Sequence, residues 1–108
     1  TTNIGASMKL LTKGIRDKLI KNHMENDGKE DTVKHKVVVK LFNPVGIGTW
    51  YLTELNPYTD IAFGLCQLAE KEIGYVSLTE LEELKLPVGL KIERDKYFET
   101  NKTLEELL

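Results

Sequence analysis

The chain has 108 residues, of which 41% are hydrophobic and 30% are charged, and its formal net charge is −2. This length accommodates one domain with a single core, and the composition is that of an ordinary globular protein, not a fibrous or low-complexity one. The longest apolar runs, Val37–Val39 and Ile61–Cys66, fall well short of the roughly 18 residues that a membrane-spanning helix requires, so no membrane association is expected.

The start of the chain differs in character from the rest. Thr1–Ser7 reads as a cloning remnant, because Met8 opens a segment typical of a natural N-terminus. Residues 8–108 are therefore predicted to form a single globular domain. We see no basic segment followed by an apolar one, and the single cysteine, Cys66, has no partner for an internal disulfide. These features favour a cytoplasmic protein.

The first predicted element is a helix from Leu10 to about Asn22. Leu11, Ile15 and Leu19 recur at intervals of four, which places them on one apolar stripe of that helix. Lysine and arginine fill much of the remaining surface, so the helix is predicted to pack one face on the core and to present a basic face to solvent.

A polar loop and then a strand follow the helix. Residues 25–32 contain no hydrophobic side chain and are predicted to form a mobile loop. Val33–Phe42 alternates with period two, which predicts a strand with His35 among the aliphatic side chains of one face. The other face carries three lysines, which either protect an edge strand or contact phosphates: Lys34, Lys36 and Lys40.

Two further strands are predicted at Thr49–Leu55 and at Ile61 to about Gln67, connected by turns with Asn-Pro dipeptides. The face with Trp50 is expected to be core, because a tryptophan buries on the order of 200 Å². The back of that strand, with Tyr51 and Thr53, is expected to be a half-exposed recognition platform. Three apolar side chains of the next strand are expected to join the tryptophan core: Ile61, Phe63 and Leu65.

The clearest local signal is the start of a second helix. Residues 67–73 fit either a strand or a helical turn, and Tyr75–Val76 reads as a short extended piece. Ser77 is followed three residues later by Glu80, which is a capping box. The helix is predicted over Leu78–Leu86, because a proline follows directly.

The last predicted strand is Leu90–Phe98, with Glu93 and Asp95 on one face and Arg94 on the other. Thr103–Leu108 is predicted to be a frayed terminal turn. This order of elements predicts an α+β fold, an antiparallel sheet of about four to five strands with two or three helices packed on one face of it.

Catalytic machinery is not visible in the sequence. It shows no nucleophile–base pair, no ligand spacing for zinc and no phosphate-binding loop. Ser77 is needed as a cap and Cys66 lies in an apolar strand, so neither is expected to act as a nucleophile. We therefore expect a protein without enzymatic activity, cofactor or metal. An acid–base or magnesium site would require four carboxylates to converge: Glu54, Asp60, Glu93 and Asp95.

Charge is unevenly distributed, with +4 in residues 8–42 and −6 in residues 43–108. This asymmetry favours a charged partner. The leading hypothesis is a protein partner that binds the acidic half or the exposed sheet face, through Tyr51, Glu54, Glu93, Arg94 and Asp95. The alternative is nucleic acid, which the isoelectric point of about 5.7 disfavours, bound through Arg16, Lys18, Lys34, Lys36 and Lys40.

Five segments in a fixed order carry a family resemblance: MKLLTKGIRDKL, GTWYLTE, FGL, EIGYVSLTELEEL and VGLKIERDKYFE. The chain from Met8 to about Glu99 resembles a family of small bacterial proteins known only as a domain of unknown function, whose members occur on plasmids, phages and integrated conjugative elements. Residues 25–32 and 56–59 lie outside that pattern. The resemblance implies a mobile-element context and carries no catalytic residues, so the best interpretation is an accessory protein that acts by binding another protein.

Overall fold

The computed structural model describes residues 10–26 and 35–108. In these ranges the chain forms a five-stranded antiparallel sheet and three α-helices, which confirms the predicted α+β fold. The elements in chain order are α1 (Lys13–Asn26), β1 (Val39–Phe42), β2 (Thr49–Asn56), β3 (Ile61–Gln67), β4 (Lys71–Ser77), α2 (Leu78–Glu83), β5 (Glu93–Arg94) and α3 (Leu104–Leu107). None of these helices is long and apolar enough to cross a membrane. The predicted cloning remnant, residues 1–7, lies outside the described residues.

Helix α1 extends further than its apolar stripe predicts. Leu11 precedes it, and it continues to Asn26, so residues 25 and 26 of the predicted loop are helical. The remainder of that loop lies outside the described residues. Leu19 is fully buried and Ile15 packs against the same core, which confirms the stripe.

The strand order is β4-β3-β2-β1-β5, so β4 and β5 form the two edges. The interpretation of the lysine-bearing strand as an edge is wrong, because β1 pairs with β2 on one side and β5 on the other. Its predicted length is also too great, since the chain changes partner along it. Lys36 bridges to Thr103, and the Val37 N–H donates to the Lys102 carbonyl at 2.9 Å.

Helices α1 and α2 cover one face of the sheet, here called the two-helix face. Trp50 is 7% exposed on this face, and the sequence prediction that it is core is confirmed. A side chain of this size contributes several kcal/mol at about 25 cal/mol per Å² buried. The buried residues of this cluster are Leu11, Leu19, Val39, Leu41, Trp50, Leu52, Leu55, Ala62, Leu78, Leu81 and Ile92.

A second cluster lies on the opposite face of the sheet, here called the α3 face. Helix α3 closes it with Leu104, which is 8% exposed. The expectations that all helices share one face and that the C-terminus is frayed are therefore wrong. Thr103 caps the start of α3 in a reciprocal capping box with Glu106, and the buried Leu104 holds the helix against the sheet. This cluster contains Val37, Leu65 and Leu104, with Tyr51, Phe63, Phe98 and Leu107 against it.

The β2–β3 register decides which side chains share a face. Tyr51 pairs with Leu65 and Trp50 with Cys66, so the expectation that Ile61, Phe63 and Leu65 join the tryptophan core is wrong. A β-bulge between Leu52 and Glu54 shifts the alternation by one residue. Leu55 therefore lies with Trp50, although simple alternation would place it with Tyr51.

The second half of the chain combines a confirmed helix start with shorter elements than predicted. The Glu80 N–H donates to Ser77 Oγ at 3.1 Å, which confirms the cap. Helix α2 ends at Glu83, before Leu86, and a 3₁₀ turn follows at Pro87–Gly89. The prediction of a strand over residues 90–98 is wrong, because β5 has two residues and the Asp95 carboxylate accepts the Tyr97 N–H at 3.0 Å, which starts a turn.

Candidate protein-binding edge

Most of the residues predicted to bind a protein partner are engaged within the fold. Tyr51 is half-buried, with the ring of Phe98 at 5.9 Å between centroids and Lys40 Nζ at 5.9 Å from its ring centre. Thr53, expected on the same platform, is 2% exposed. Glu54 is 8% exposed, and its carboxylate accepts a hydrogen bond from the side-chain amide of Asn26.

The three residues around β5 also have internal partners, with one exception. The Arg94 guanidinium donates to the Leu10 carbonyl at 2.7 Å, and Asp95 lies 3.8 Å from Lys40 Nζ. Glu93 is exposed. It pairs with Phe42, which pairs with Thr49, so Glu93 and Glu54 are two strands apart and roughly 16 Å apart along the strand direction. Glu93, Arg94 and Asp95 line one groove with Lys40, which also contacts Tyr51, whereas Glu54 lies apart, so the five predicted partner-binding residues do not all share one surface.

The carboxylates considered for an acid–base or magnesium site are separated in the same way. Asp60 accepts from Arg16 Nη2 at 3.1 Å and from Thr79 Oγ1 at 2.7 Å, at the junction of α1 and α2. Glu54 contacts the other end of α1, and Asp95 contacts β1. In residues 10–26 and 35–108 no group of three His, Cys, Asp or Glu side chains could hold a metal ion.

Two of the lysines predicted to contact nucleic acid converge. Lys18 and Lys36 line a groove of about 450 Å³ between α1 and the segment before β1. His35 lines the same groove; its Nε2 atom is buried without a hydrogen bond among the described residues and lies 3.7 Å from the Glu25 carboxylate. The other two described candidates, Arg16 and Lys40, form ion pairs with Asp60 and Asp95. Lys34 lies outside the described residues.

A surface that the sequence did not predict lies along the outer edge of β4. Two backbone hydrogen bonds bracket the β3–β4 hairpin, from the Leu78 N–H to the Asp60 carbonyl at 2.9 Å and from the Leu68 N–H to the Glu70 carbonyl at 3.1 Å. Opposite residues of an antiparallel ladder alternate between bonded and non-bonded pairs. With the observed register, the inward-bonding residues of β4 are Glu72, Gly74 and Val76.

The alternate residues of β4 therefore direct their N–H and C=O groups away from β3. No strand pairs with them among the described residues, because β4 ends the sheet. We call this backbone row, together with its side chains, the β4 edge. It consists of Lys71, Ile73, Tyr75 and Ser77.

The two central side chains of the β4 edge, Ile73 and Tyr75, are apolar and accessible. Tyr75 is 77% exposed and Ile73 is 40% exposed. Tyr75 stands beside Phe63, with ring centroids 5.1 Å apart, so it is supported from the α3 face. Two more exposed apolar side chains lie at the ends of the β3–β4 hairpin, Leu68 in its turn and Tyr58 in the turn before β3.

The surroundings of the β4 edge are acidic. Residues 70–83 contain five glutamates and one lysine, a net charge of −4. Lys71 donates from Nζ to the Leu107 carbonyl at 3.1 Å, so its ammonium is drawn toward α3.

Burial raises the pKa of the Cys66 thiol, and the negative charge of Glu72, its cross-strand partner, raises that pKa further. The thiol therefore remains protonated at neutral pH.

The signal that sequence reasoning missed is the alternation within residues 71–77. Ile73 and Tyr75 lie on one face, and β-branched and aromatic residues favour a strand. The glycine between them weakened this pattern. Nothing in the local sequence shows that the strand is an edge, because edge position depends on which other strands pair with it.

No curated protein and no solved structure matches the chain. Residues 10–108 match a family model described as "Protein of unknown function (DUF2958)". This match confirms the resemblance to an uncharacterised domain.

Proposed function

The chain belongs to the DUF2958 family, and from its geometry we propose that it is a non-enzymatic accessory protein that binds a protein partner by β-strand addition. In this mode an extended segment of the partner hydrogen-bonds to an open sheet edge, and pockets beside the edge select its side chains. The β4 edge is the receiving surface.

One observation carries the proposal, which is that β4 has only charge as protection and lacks the short length, proline or bulge that would block any added strand. Natural proteins block edge strands by short length, proline, bulges or charged side chains. β4 has seven residues in continuous register with β3, contains no proline, and uses its lysine within the molecule. Its most exposed apolar side chain, Tyr75, is aromatic, the type of residue enriched at binding hot spots.

The cellular setting is part of the proposal. The resemblance to proteins of plasmids, phages and conjugative elements supports a role on a mobile genetic element. A single cysteine, which cannot form an internal disulfide, suits a reducing compartment and supports the cytoplasm.

Hydrogen exchange tests the binding mode directly. In the isolated protein the amides of Ile73 and Tyr75 should exchange quickly, while those of Gly74 and Val76 should be protected by β3. A panel of seven-residue extended peptides should contain sequences that protect the first pair of amides. If every peptide leaves the exchange of Ile73 and Tyr75 unchanged, the proposal is wrong.

A proline substitution provides a matched test. Tyr75→Pro removes an N–H that β3 does not use, so the sheet should still form. Tyr75→Ala removes the same ring but retains the N–H. Binding should be abolished by the proline and only weakened by the alanine. Equal effects of the two variants would show that the ring contacts the peptide but that the edge does not pair with it.

The groove between Lys18 and Lys36 supports nucleic-acid binding as a second candidate function. The measurement is a titration with single- and double-stranded DNA and RNA at increasing salt, in which phosphate contacts produce a linear fall of log affinity with log salt. The pair Lys18→Glu and Lys36→Glu should abolish binding. The matched pair Lys85→Glu and Lys91→Glu makes the same change in net charge away from the groove and should preserve nucleic-acid binding. Absence of binding at low salt would end this candidate.

A further inference from the structure

Resting on the proposed function, we infer that the segment that adds to the β4 edge is a basic strand in which apolar residues alternate with lysine or arginine. The apolar side chains face the same way as Ile73 and Tyr75, and the basic side chains face the two-helix face. The inference concerns the chemistry of the partner, which strand addition alone leaves open.

The α3 face of the edge is apolar. Ile73 and Tyr75 lie on it beside Phe63, and α3 borders it through the contact of Lys71 with Leu107. A strand added here would place every second side chain against Ile73 and Tyr75. Cross-strand pairs of aromatic and aliphatic side chains are favourable, so these positions of the partner are apolar.

The two-helix face of the same edge is acidic. Glu72 pairs with Cys66, which packs against the tryptophan core, so the Glu72 carboxylate lies on this face. Helix α2 leaves from the end of β4 on the same face and exposes Glu80 and Glu83 to solvent. The intervening side chains of an added strand would point to the same face as the Glu72 carboxylate, where lysine or arginine would neutralise it.

Gly74 gives this face room for long side chains. It lies between Glu72 and Val76 on β4 and pairs with Gly64 of β3, so no side chain rises at that position on either strand. A Cβ placed at Gly74 would meet no heavy atom within 4 Å. The aliphatic stem of a lysine or arginine can lie over this bare backbone while its charged end reaches a carboxylate.

The acidic surroundings also select against a second copy of this chain. Two β4 edges brought together would bring two sets of like charges into proximity, which is destabilising across strands. Charge complementarity therefore favours a basic segment of a different protein.

Three peptides of seven residues test the inference, each with valine at alternate positions and with lysine, serine or glutamate at the others, and with a proline at each end to prevent self-assembly. Their affinities are measured by fluorescence anisotropy at low and high salt. We expect the lysine peptide to bind at least tenfold more tightly than the serine peptide, and the advantage to shrink as salt increases. Glu72→Lys should reverse the preference, whereas Glu93→Lys, the same change on the opposite edge of the sheet, should leave it unchanged.

The outcomes separate this inference from the proposed function. Equal binding of all three peptides with protection of the Ile73 and Tyr75 amides would preserve strand addition and overturn the basic partner. Tighter binding of the glutamate peptide would overturn it as well. If Glu72→Lys and Glu93→Lys change the preference for the lysine peptide equally, that preference is non-specific charge attraction and the inference is overturned. If no peptide binds, the proposed function fails together with the inference.

Discussion

Asp60 shows how a residue that could be read as catalytic serves as a structural junction. Its backbone has φ of 60°, a left-handed conformation that aspartate tolerates better than most residues. Its N–H donates to the Asn56 carbonyl, and its carboxylate joins Arg16 of α1 to Thr79 of α2. One side chain thus connects both helices of the two-helix face to the turn between β2 and β3.

Replacement of Asp60 should therefore reduce stability. Asp60→Ala removes both hydrogen bonds and places alanine in the left-handed region, so the free energy of unfolding should fall by about 2 kcal/mol. Asp60→Asn retains the backbone preference and can still bond Thr79, so its loss should be smaller. Urea unfolding measures both. Equal losses would show that the charge pair with Arg16, not the conformation, dominates.

Gly64 is required by the close approach of β2 and β3 beside the bulge. A Cβ there would overlap the Tyr51 carbonyl oxygen and lie 2.9 Å from Leu52 Cα. Because backbone atoms cannot yield, Gly64→Ala should cost about 3 kcal/mol or prevent folding. Gly74→Ala is the matched control, since space is open around it, and its stability should be unchanged or slightly higher. Similar urea midpoints for the two variants would contradict the observed register.

The thiol of Cys66 links stability to alkaline pH. Burial and then the negative charge of Glu72 raise the pKa of this thiol above its ordinary value, so the folded chain retains the proton that the unfolded chain releases. This contribution is fully present below the unfolded pKa and is lost as pH rises through the folded one. Chemical unfolding of the wild type and Cys66→Ala between pH 7 and 10.5 should show a difference that decreases as pH rises. A difference in unfolding free energy that does not change with pH would contradict a raised pKa of the Cys66 thiol.

At the scale of elements, α3 is a helix that tertiary packing stabilises although its short sequence would not be helical in isolation. Four residues are too few to form a stable helix in isolation, because nucleation is costly. The helix persists because Leu104 is inserted between Val37 and Leu65 on the α3 face and because Thr103 caps it. The segment before β1 shows the same dependence, since Lys36 and Val37 pair with residues 102 and 103 near the C-terminus.

Truncation of Leu104 should therefore cost more than its terminal position suggests. Leu104→Ala removes a buried side chain and should lower the free energy of unfolding by about 2–4 kcal/mol. Leu108→Ala, at a residue that is 59% exposed, should have little effect. Thermal or urea unfolding compares the stabilities of the two variants. Equal stability would mean that α3 does not pack on the sheet.

At the scale of the whole molecule, the sheet is covered on both faces and its longer edge strand, β4, is open. Helices α1 and α2 cover one face, and α3 with Phe98 covers much of the other. The β4 edge is left with exposed backbone groups and exposed apolar side chains, surrounded by carboxylates. These carboxylates oppose pairing of two copies while favouring a basic partner.

Neutralising this charge should promote self-association. The triple variant Glu72→Gln, Glu80→Gln and Glu83→Gln should form dimers or larger species at concentrations where the wild type remains monomeric, because the like-charge repulsion is removed. Analytical ultracentrifugation measures the association state, and addition of salt to the wild type should also shift it toward dimers or larger species. The control Glu93→Gln should not associate; association of the control alone would place the self-pairing surface elsewhere.

Local patterns in the sequence determined a large part of this fold. The stripe of Leu11, Ile15 and Leu19, the strands around Trp50 and Ile61, and the Ser77 cap depend on interactions between residues a few positions apart, so their spacing predicts them. The tertiary structure alone decided which face each strand residue occupies, because one bulge after Leu52 shifts every later side chain of β2. It also decided that β4 is an edge and that most of the predicted partner-binding residues have internal partners. Pairing between distant strands is a property of the folded chain, and the candidate site depends on such pairing.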